Sequence, residues 1–349
     1  MSADQSATRR TSRSSGRLNM REVAEQAGVA MSSVSRVLSG HPDVSPVMRA
    51  RVMATVDALG YQPDLLAQSL RRRATLTVGF VVGDIANPLF AEIVTGAEQE
   101  LRGAGYSMLL ANSDRAPDRD AAHIRLFEQR RVDGLLLSLA AEDDPRTLEL
   151  LRKYEKPVVL VDREVGDGVE ASVVLSDHRS GVRAATEELL ALGHRRIGLI
   201  LGGPMRPTRE RRAGLVEAYE ARGIDVPNMV VEGVLSAEHG RKAARSLLDR
   251  DVPPTALIAG GNQLLVGCLA ELVDRGLRIG TDISLASCDA IPMTDLYQPP
   301  IAVVRRDNRE IGRTAARLLL ARLADDTLLA ETVTLPTTWV RRASCGPVG

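Results

Sequence analysis

An all-α helix-turn-helix headpiece followed by an α/β core of two doubly wound parallel-sheet lobes is the fold class this sequence predicts, on three observations. Residues 19–38, NMREVAEQAGVAMSSVSRVL, carry two short apolar helical faces separated by Gly28. From residue 75 onward, short apolar runs alternate with amphipathic helical stretches, the pattern of a parallel sheet covered on both faces. The alternation runs through two consecutive series of similar size, and 349 residues suit two or three domains rather than one.

In the first helix, Asn19 is a cap and Glu22 can reach back to it, as in a capping box. Val23, Ala24 and Ala27 share one face. Gly28 supplies the backbone a sharp turn needs, and Val29 opens the next apolar face. A second helix from Met31 buries Val34, Val37 and Leu38, and leaves Met31, Ser32, Ser33 and Arg36 outside. Such a pair matches the scale of a DNA major groove; the plain counterpart is a helical hairpin on a larger domain. After the turn-forming SGHPDVS, Ser45 and Pro46 start a third helix. It runs to about Leu59, turns Val52, Val56 and Leu59 toward the first two, and stops at Gly60. Tyr61 is placed to close this small core.

Residues 1–17 are a run of Ser, Thr, Ala and Arg, read as a disordered tail with no apolar signal-peptide core. Residues 62–73, QPDLLAQSLRRR, could form a two-turn helix capped by Asp64. A helix that short is marginal in water by itself. Its arginines either attract phosphates or are simply solvated; composition leaves both open.

Charge divides the chain. Of 45 basic and 45 acidic residues, eleven and six fall within 1–73, leaving 34 and 39 for the remainder. A basic N-terminal module on an acidic body is the asymmetry expected of a DNA-binding headpiece on a core that does not bind DNA. No segment supplies the roughly 18 uninterrupted apolar residues a membrane span needs. Cys268, Cys288 and Cys345 lie far apart, odd in number and without a CxxC pair, which argues against a disulfide framework or zinc knuckle and for a reducing cytoplasm.

The core reads in order. LTVGFVV is a strand, Leu89 to Leu101 a helix, YSMLLA a strand and Asp118 to Gln129 a helix. VDGLLLS is a strand, Pro145 to Lys153 a helix and PVVLVD a strand. The second series has helices over Arg179–Leu192, Glu210–Arg222, Glu238–Asp249 and Leu264–Arg275, with strands at RIGLIL, MVVEG, TALIA and ISLAS. IAVV, a helix over Ile311–Leu323 and TVTL close the chain. Ligands of such folds bind beyond the carboxyl ends of the strands, which here carry Asp84, Asn112, Ser138, Asp162, Gly202, Asn262 and Asp289.

Catalysis finds no foothold. The five histidines lack metal-ligand spacing, and no GxSxG elbow, GxxxxGK[ST] loop or complete GxGxxG fingerprint occurs. Cys288 beside Asp289 has no histidine partner in sequence and reads as a small buried thiol. Asp162-Arg163 faces either a ligand or a structural ion pair. No cofactor or metal is expected.

From about Asn19 to Val340 the chain resembles the lactose/galactose-repressor (LacI/GalR) family of bacterial transcription regulators. The resemblance rests on VAEQAGVAMSSVSRVLSG, VSPVMRARVMATVDALGYQPDLLAQSLR, VGFVVGDIANPLFAEIVTGAEQELRGAGY, RVDGLLL, PVVLVDR, LLALGHRRIGLILGGP, RRAGLVEAY and DISLASCDAIPMTDLYQPPIAVVRRD, in matching order and spacing. It implies a regulator, most readily a repressor, that binds a pseudo-palindromic operator as a homodimer. The DNA-facing residues would be Asn19, Met31, Ser32, Ser33, Arg36 and Ser45. Met31 lacks a bidentate hydrogen-bonding group and suits an apolar contact such as a thymine methyl. Ala30 stands where the family often has a serine touching phosphate. The family also implies a hinge helix that folds on DNA, with Ala67 and Leu70 at the minor groove and Leu70 as a wedge.

The same resemblance gives domains of 1–17 (tail), 18–62 (headpiece), 63–74 (hinge) and 75–349 (effector-binding and dimerisation core). Its lobes are expected over about 75–162 plus 290–305 and about 163–289 plus 306–340. The core resembles sugar-binding periplasmic proteins, with a small-molecule effector, a sugar or sugar derivative, in the interlobe cleft. The implied contacts are Asn87, Leu89, Phe90, Asp162, Arg211, Asn262, Asp289 and Arg306. Three positions depart from the family: Gln263 where Asp is usual, Cys288 where an aromatic is common and Arg306 where Gln is common. An extra arginine favours an anionic group on the ligand, unless an acid such as Asp307 pairs with it. The competing readings are a solute receptor, which would need a signal peptide and no headpiece, and an enzyme on the same fold.

Overall fold

The computed structural model describes residues 18–39, 41–61 and 74–348. The chain forms two compact units that divide between Thr75 and Leu76. The expected tail and the hinge residues Ala67 and Leu70 lie outside the described residues.

In the first unit, α1 (Met20–Ala27), α2 (Met31–Leu38) and α3 (Pro46–Leu59) surround one small core. Val23, Val34 and Val52 are fully buried there, and Tyr61 closes it. The capping box forms: the Glu22 amide donates to Asn19 Oδ1 at 3.1 Å, and the Asn19 amide donates to Glu22 Oε2 at 2.9 Å. Gly28 ends α1 in the left-handed region, at φ 60°, where a side chain is strained. Arg51 donates from Nη2 to the Gly28 carbonyl at 3.1 Å, which fastens the turn to α3.

The second unit holds two six-stranded sheets. Lobe 1 is built from β1 (Thr77–Val82), β2 (Ser107–Asn112), β3 (Gly134–Leu137), β4 (Val158–Val161), β5 (Ser172–Ser176) and β11 (Thr332–Leu335), in the order β11-β5-β4-β3-β1-β2 and parallel throughout. Its helices are α4 (Pro88–Gly103), α5 (Pro117–Gln129), α6 (Pro145–Lys153) and α12 (Asn308–Ala324). Lobe 2 is built from β6 (Ile197–Leu201), β7 (Val230–Glu232), β8 (Ala256–Ala259), β9 (Ser284–Ser287), β10 (Ala302–Arg305) and β12 (Thr338–Val340), in the order β12-β10-β9-β8-β6-β7. Only the β10–β12 pair in it is antiparallel. Helices α7 (His178–Ala191), α8 (Arg206–Glu220), α9 (Ala237–Leu248), α10 (Asn262–Asp274) and the short α11 (Pro292–Leu296) complete this lobe.

The lobes divide at different points from those expected. Strand β5, read over in sequence, pairs with β4 and keeps the chain in lobe 1 as far as Ser176. Residues 290–305 belong to lobe 2, because β10 pairs with β9. The chain then returns: α12 packs on α4, and β11 pairs with β5. Gly96 and Gly312 permit that helix crossing, since a methyl group on either would overlap the other helix's backbone, at the Arg309 and Ile93 carbonyls. Three crossings therefore join the lobes, at Asp177, at 306–307 and at 336–337. Helix α8 also starts at Arg206, earlier than expected, because Pro207 sits in its first turn, where a missing N–H costs nothing.

Candidate functional site

A cleft of about 630 Å³, counting space open to solvent, lies between the two lobes. Its wall includes Asn87, Leu89, Phe90, Arg211, Asp289 and Arg306 from the expected set. The remaining two, Asp162 and Asn262, stand behind that wall and hold residues on it.

Asn87, Asn262 and Asp289 are placed by element ends, and Arg211 by the second turn of a helix. Asn87 caps α4, accepting from the Leu89 amide at 3.1 Å, with Pro88 in the first turn. The Asn262 amide side chain donates to that same Asn87 oxygen at 2.8 Å, so the first turns of α4 and α10 meet across the cleft. Asp289 follows β9 and accepts the Asn262 backbone amide at 3.2 Å. Arg211 projects from α8, donates to the Gly260 carbonyl at 2.6 Å and reaches Asp289 at 3.9 Å.

Arg306 lies on the second crossing and bridges the lobes. One end of its guanidinium binds Asp162 of lobe 1 and the Ser176 hydroxyl (3.2 Å); the other donates to Asp289 of lobe 2 at 3.3 Å. The acids that take its charge are Asp162 and Asp289 rather than Asp307, whose side chain caps α12. Asp162 also accepts from the Ser176 amide at 2.7 Å and lies 3.5 Å from His178 Nε2. Burial opposes its ionisation, but His178 and Arg306 hold the carboxyl well below the usual range. Burial, reinforced by the positive charge of Arg211, pushes His178 down to about 4, so it is neutral near pH 7.

Two further clusters span the lobes. Arg115 of lobe 1 donates to the Leu235 carbonyl at 2.7 Å and to Gln263 Oε1 at 2.6 Å, while Gln263 Nε2 donates to Asp84 at 2.9 Å. An amide at 263 accepts and donates at once; an aspartate there would meet Asp84 as a second negative charge. Glu142 of lobe 1 accepts the Arg206 amide at 3.1 Å and pairs with Arg209 at 2.7 Å. Glu164 pairs with Arg206 at 3.0 Å.

Sequence reasoning did not single out His178, Met205, Thr208, Leu235 and Gly260 as cleft residues, though all line it. They belong to loops and first turns following strands, so only the strand-end rule could have found them. All three cysteines are buried, and burial pushes the thiols up, Cys288 to about 11 and Cys268 and Cys345 to about 12, far from thiolate chemistry. Among the described residues no group of three His, Cys, Asp or Glu side chains could hold a metal ion, and no helix is long and apolar enough to cross a membrane.

On the first unit, Met31, Ser32 and Arg36 are exposed along α2, with Met31 54% exposed although it is apolar, and Ser33 is half-buried. Asn19 and Ser45 are exposed caps. Their oxygens accept helix amides, and the Asn19 NH₂ and Ser45 hydroxyl hydrogen remain as donors.

Comparisons with known proteins agree with both units. Residues 19–64 match the family described as "Bacterial regulatory proteins, lacI family", and residues 186–345 match a "Periplasmic binding protein-like domain". The chain is 31% identical over 329 residues to the ribose operon repressor of Escherichia coli (strain K12), covering 93% of this chain and 99% of that protein. It is 30% identical over 307 residues to the HTH-type transcriptional repressor PurR of Haemophilus influenzae (strain PittEE), covering 87% and 90%. Its fold is similar to that of the Lac repressor dimer bound to operator and the anti-inducer ONPF, with a TM-score of 0.82, 27% identity and coverage of 94% and 99%.

Proposed function

Since this chain belongs to the LacI family of bacterial transcription regulators, we propose that it represses transcription as a homodimer on a pseudo-palindromic operator and responds to a small molecule held between its lobes. The observation that carries this reading is the pairing, in one chain, of an exposed α2 face with an interlobe cleft whose wall sets charged side chains such as Arg211, Asp289 and Arg306 beside apolar ones such as Leu89 and Phe90. Met31, Ser32, Ser33 and Arg36 read the major groove, and Asn19 and Ser45 donate to phosphates. Ala67 and Leu70, in the 63–74 segment, act as a hinge whose Leu70 wedges into the minor groove. Residues 75–349 dimerise and bind effector. The protein is not an enzyme and works in the cytoplasm.

A ligand that touches both lobes favours one relative lobe orientation over another. Arg306, Asn87 and Asn262 are the groups through which it acts, because each already spans the cleft. Coupling of this kind between two sites is typically worth about 1–3 kcal/mol. A sugar or sugar derivative is the favoured ligand, in keeping with the ribose operon repressor among its relatives.

The test uses operator fragments selected from genomic DNA by the purified full-length protein. Leu70→Ala should weaken operator binding and leave effector affinity unchanged; unaltered operator affinity would remove the hinge from the account. Asp289→Ala should abolish the effector response and spare DNA binding without ligand. An unchanged dose response in that variant places the effector site elsewhere.

A further inference from the structure

The cleft carries more positive charge than its own carboxylates balance. Arg163, Arg211 and Arg306 all stand on its wall. Arg306 is shared between Asp162 and Asp289, and Arg211 reaches the same oxygen of Asp289 that Arg306 uses. Arg163 donates to two neutral carbonyls, of Leu139 at 2.5 Å and Asp162 at 2.9 Å. The other nearby acids do not make up the difference. Glu142 and Glu164 are engaged by Arg209 and Arg206, and Asp120 Oδ2 accepts the Ala140 amide at 2.6 Å rather than pairing with any of the three arginines. Three guanidinium groups thus share two carboxylates in a largely buried space, where an unbalanced charge is costly. Burial lowers Arg163; it acts the same way on Arg306, where Asp162 and Asp289 outweigh it and hold the guanidinium above the ordinary arginine range.

Hydrogen bonding is lopsided in the same sense. The Nε–H groups of Arg211 and Arg306 are buried without a partner, as is Oδ1 of Asn262. The carboxylates are already occupied: Asp162 by the Ser176 amide and hydroxyl and by Arg306, Asp289 by the Asn262 amide and Arg306. A neutral polyol would meet few open acceptors and would leave the surplus charge in place. An anionic oxygen group supplies both acceptors and charge, and a hydroxyl beside it can donate to Asn262.

Taking the cleft as the effector site, we infer that its ligand is a hydroxylated small molecule bearing an anionic oxygen group, a carboxylate or a phosphate, rather than a neutral sugar.

The experiment is calorimetric titration of the full-length protein with two matched pairs, D-gluconate against D-glucose and D-ribose 5-phosphate against D-ribose, at equal ionic strength set with sodium chloride. In at least one pair the anion should bind at least tenfold more tightly than its neutral partner, and the responding pair distinguishes carboxylate from phosphate. Arg306→Gln should shrink that preference at least tenfold; Arg211→Gln provides the same reading if the first variant fails to fold. Equal affinities within both pairs, including no binding by either member, overturn the inference. Operator occupancy is followed in parallel. A neutral sugar that binds as well as its anionic partner and releases operator leaves the effector cleft standing and removes the anion. An anion that binds preferentially without changing operator occupancy retains the inference and removes the regulatory role.

Discussion

Asn262 of lobe 2 donates to Asn87 of lobe 1 across a nearly dry contact of 2.8 Å. Each side chain belongs to the first turn or cap of a helix, α10 or α4, so the bond joins two rigid elements rather than two loops. A double-mutant cycle with Asn87→Ala and Asn262→Ala should give a coupling energy of about 0.5–1.5 kcal/mol in chemical denaturation. Asn87→Ala alone should cost about 1 kcal/mol more, from the lost cap. Additive losses would mean that this bond does not hold the lobes together.

Gly28→Ala tests the headpiece turn. The residue sits at φ 60°, and a methyl group there would meet the Arg51 guanidinium that fastens the turn. The left-handed conformation alone costs a non-glycine residue about 1–2 kcal/mol. In so small a unit, heat-induced unfolding of the headpiece should move down by several degrees, with operator affinity falling and the melting of the core unchanged. A headpiece that melts at the wild-type temperature would contradict this account of the turn.

His178 predicts a pH dependence. Its folded value, about 4, lies below the ordinary 6.5 because burial and Arg211 disfavour the charged form. The unfolded chain therefore binds the proton more readily between those values, so stability falls as pH drops from 6.5 toward 4. The loss from this group is roughly 3 kcal/mol, from 1.4 kcal/mol per unit. His178→Gln should flatten that part of the stability profile; the same slope in the variant would assign it to other groups.

Glu271 gives a second, lower window. Arg245, Arg275 and Arg241 surround its buried carboxylate and hold it down to about 2. A depressed carboxyl stabilises the fold above the unfolded value near 4.5 and loses that contribution as pH falls toward 2. Glu271→Gln should melt lower than wild type at pH 7, with the difference narrowing between pH 4.5 and 2. A gap independent of pH would show that packing, rather than charge, is what Glu271 contributes.

Much of this architecture was legible because its signals are local. Asn19 with Glu22, Gly28 and Ser45-Pro46 are each read from a few neighbouring residues, and each forms as its spacing demands. The route of the chain between the lobes was not legible. Strand β5 follows β4 with no helix between them, and whether α12 packs on α4 or in lobe 2 depends on Gly96 meeting Gly312, more than two hundred positions away. The cleft was legible at strand ends, where Asp289 stands, but not in its charge pairing. Nothing near Arg306 in sequence indicates that Asp162, 144 residues earlier, takes its charge, while the adjacent Asp307 is an obvious and incorrect partner.

Selection of genomic fragments by the full-length protein, with Arg36→Ala alongside the wild type, tests the central claim most directly. The wild type should enrich fragments that share one sequence with approximate two-fold symmetry, read by two α2 helices related by a dimer axis. Arg36→Ala should lose that enrichment or relax it at matching positions of both half-sites. If Arg36 meets phosphate, the salt dependence of binding should also fall by about one unit of log–log slope. No shared sequence in the wild-type pool, or an identical one in the variant pool, would contradict α2 as the reading element.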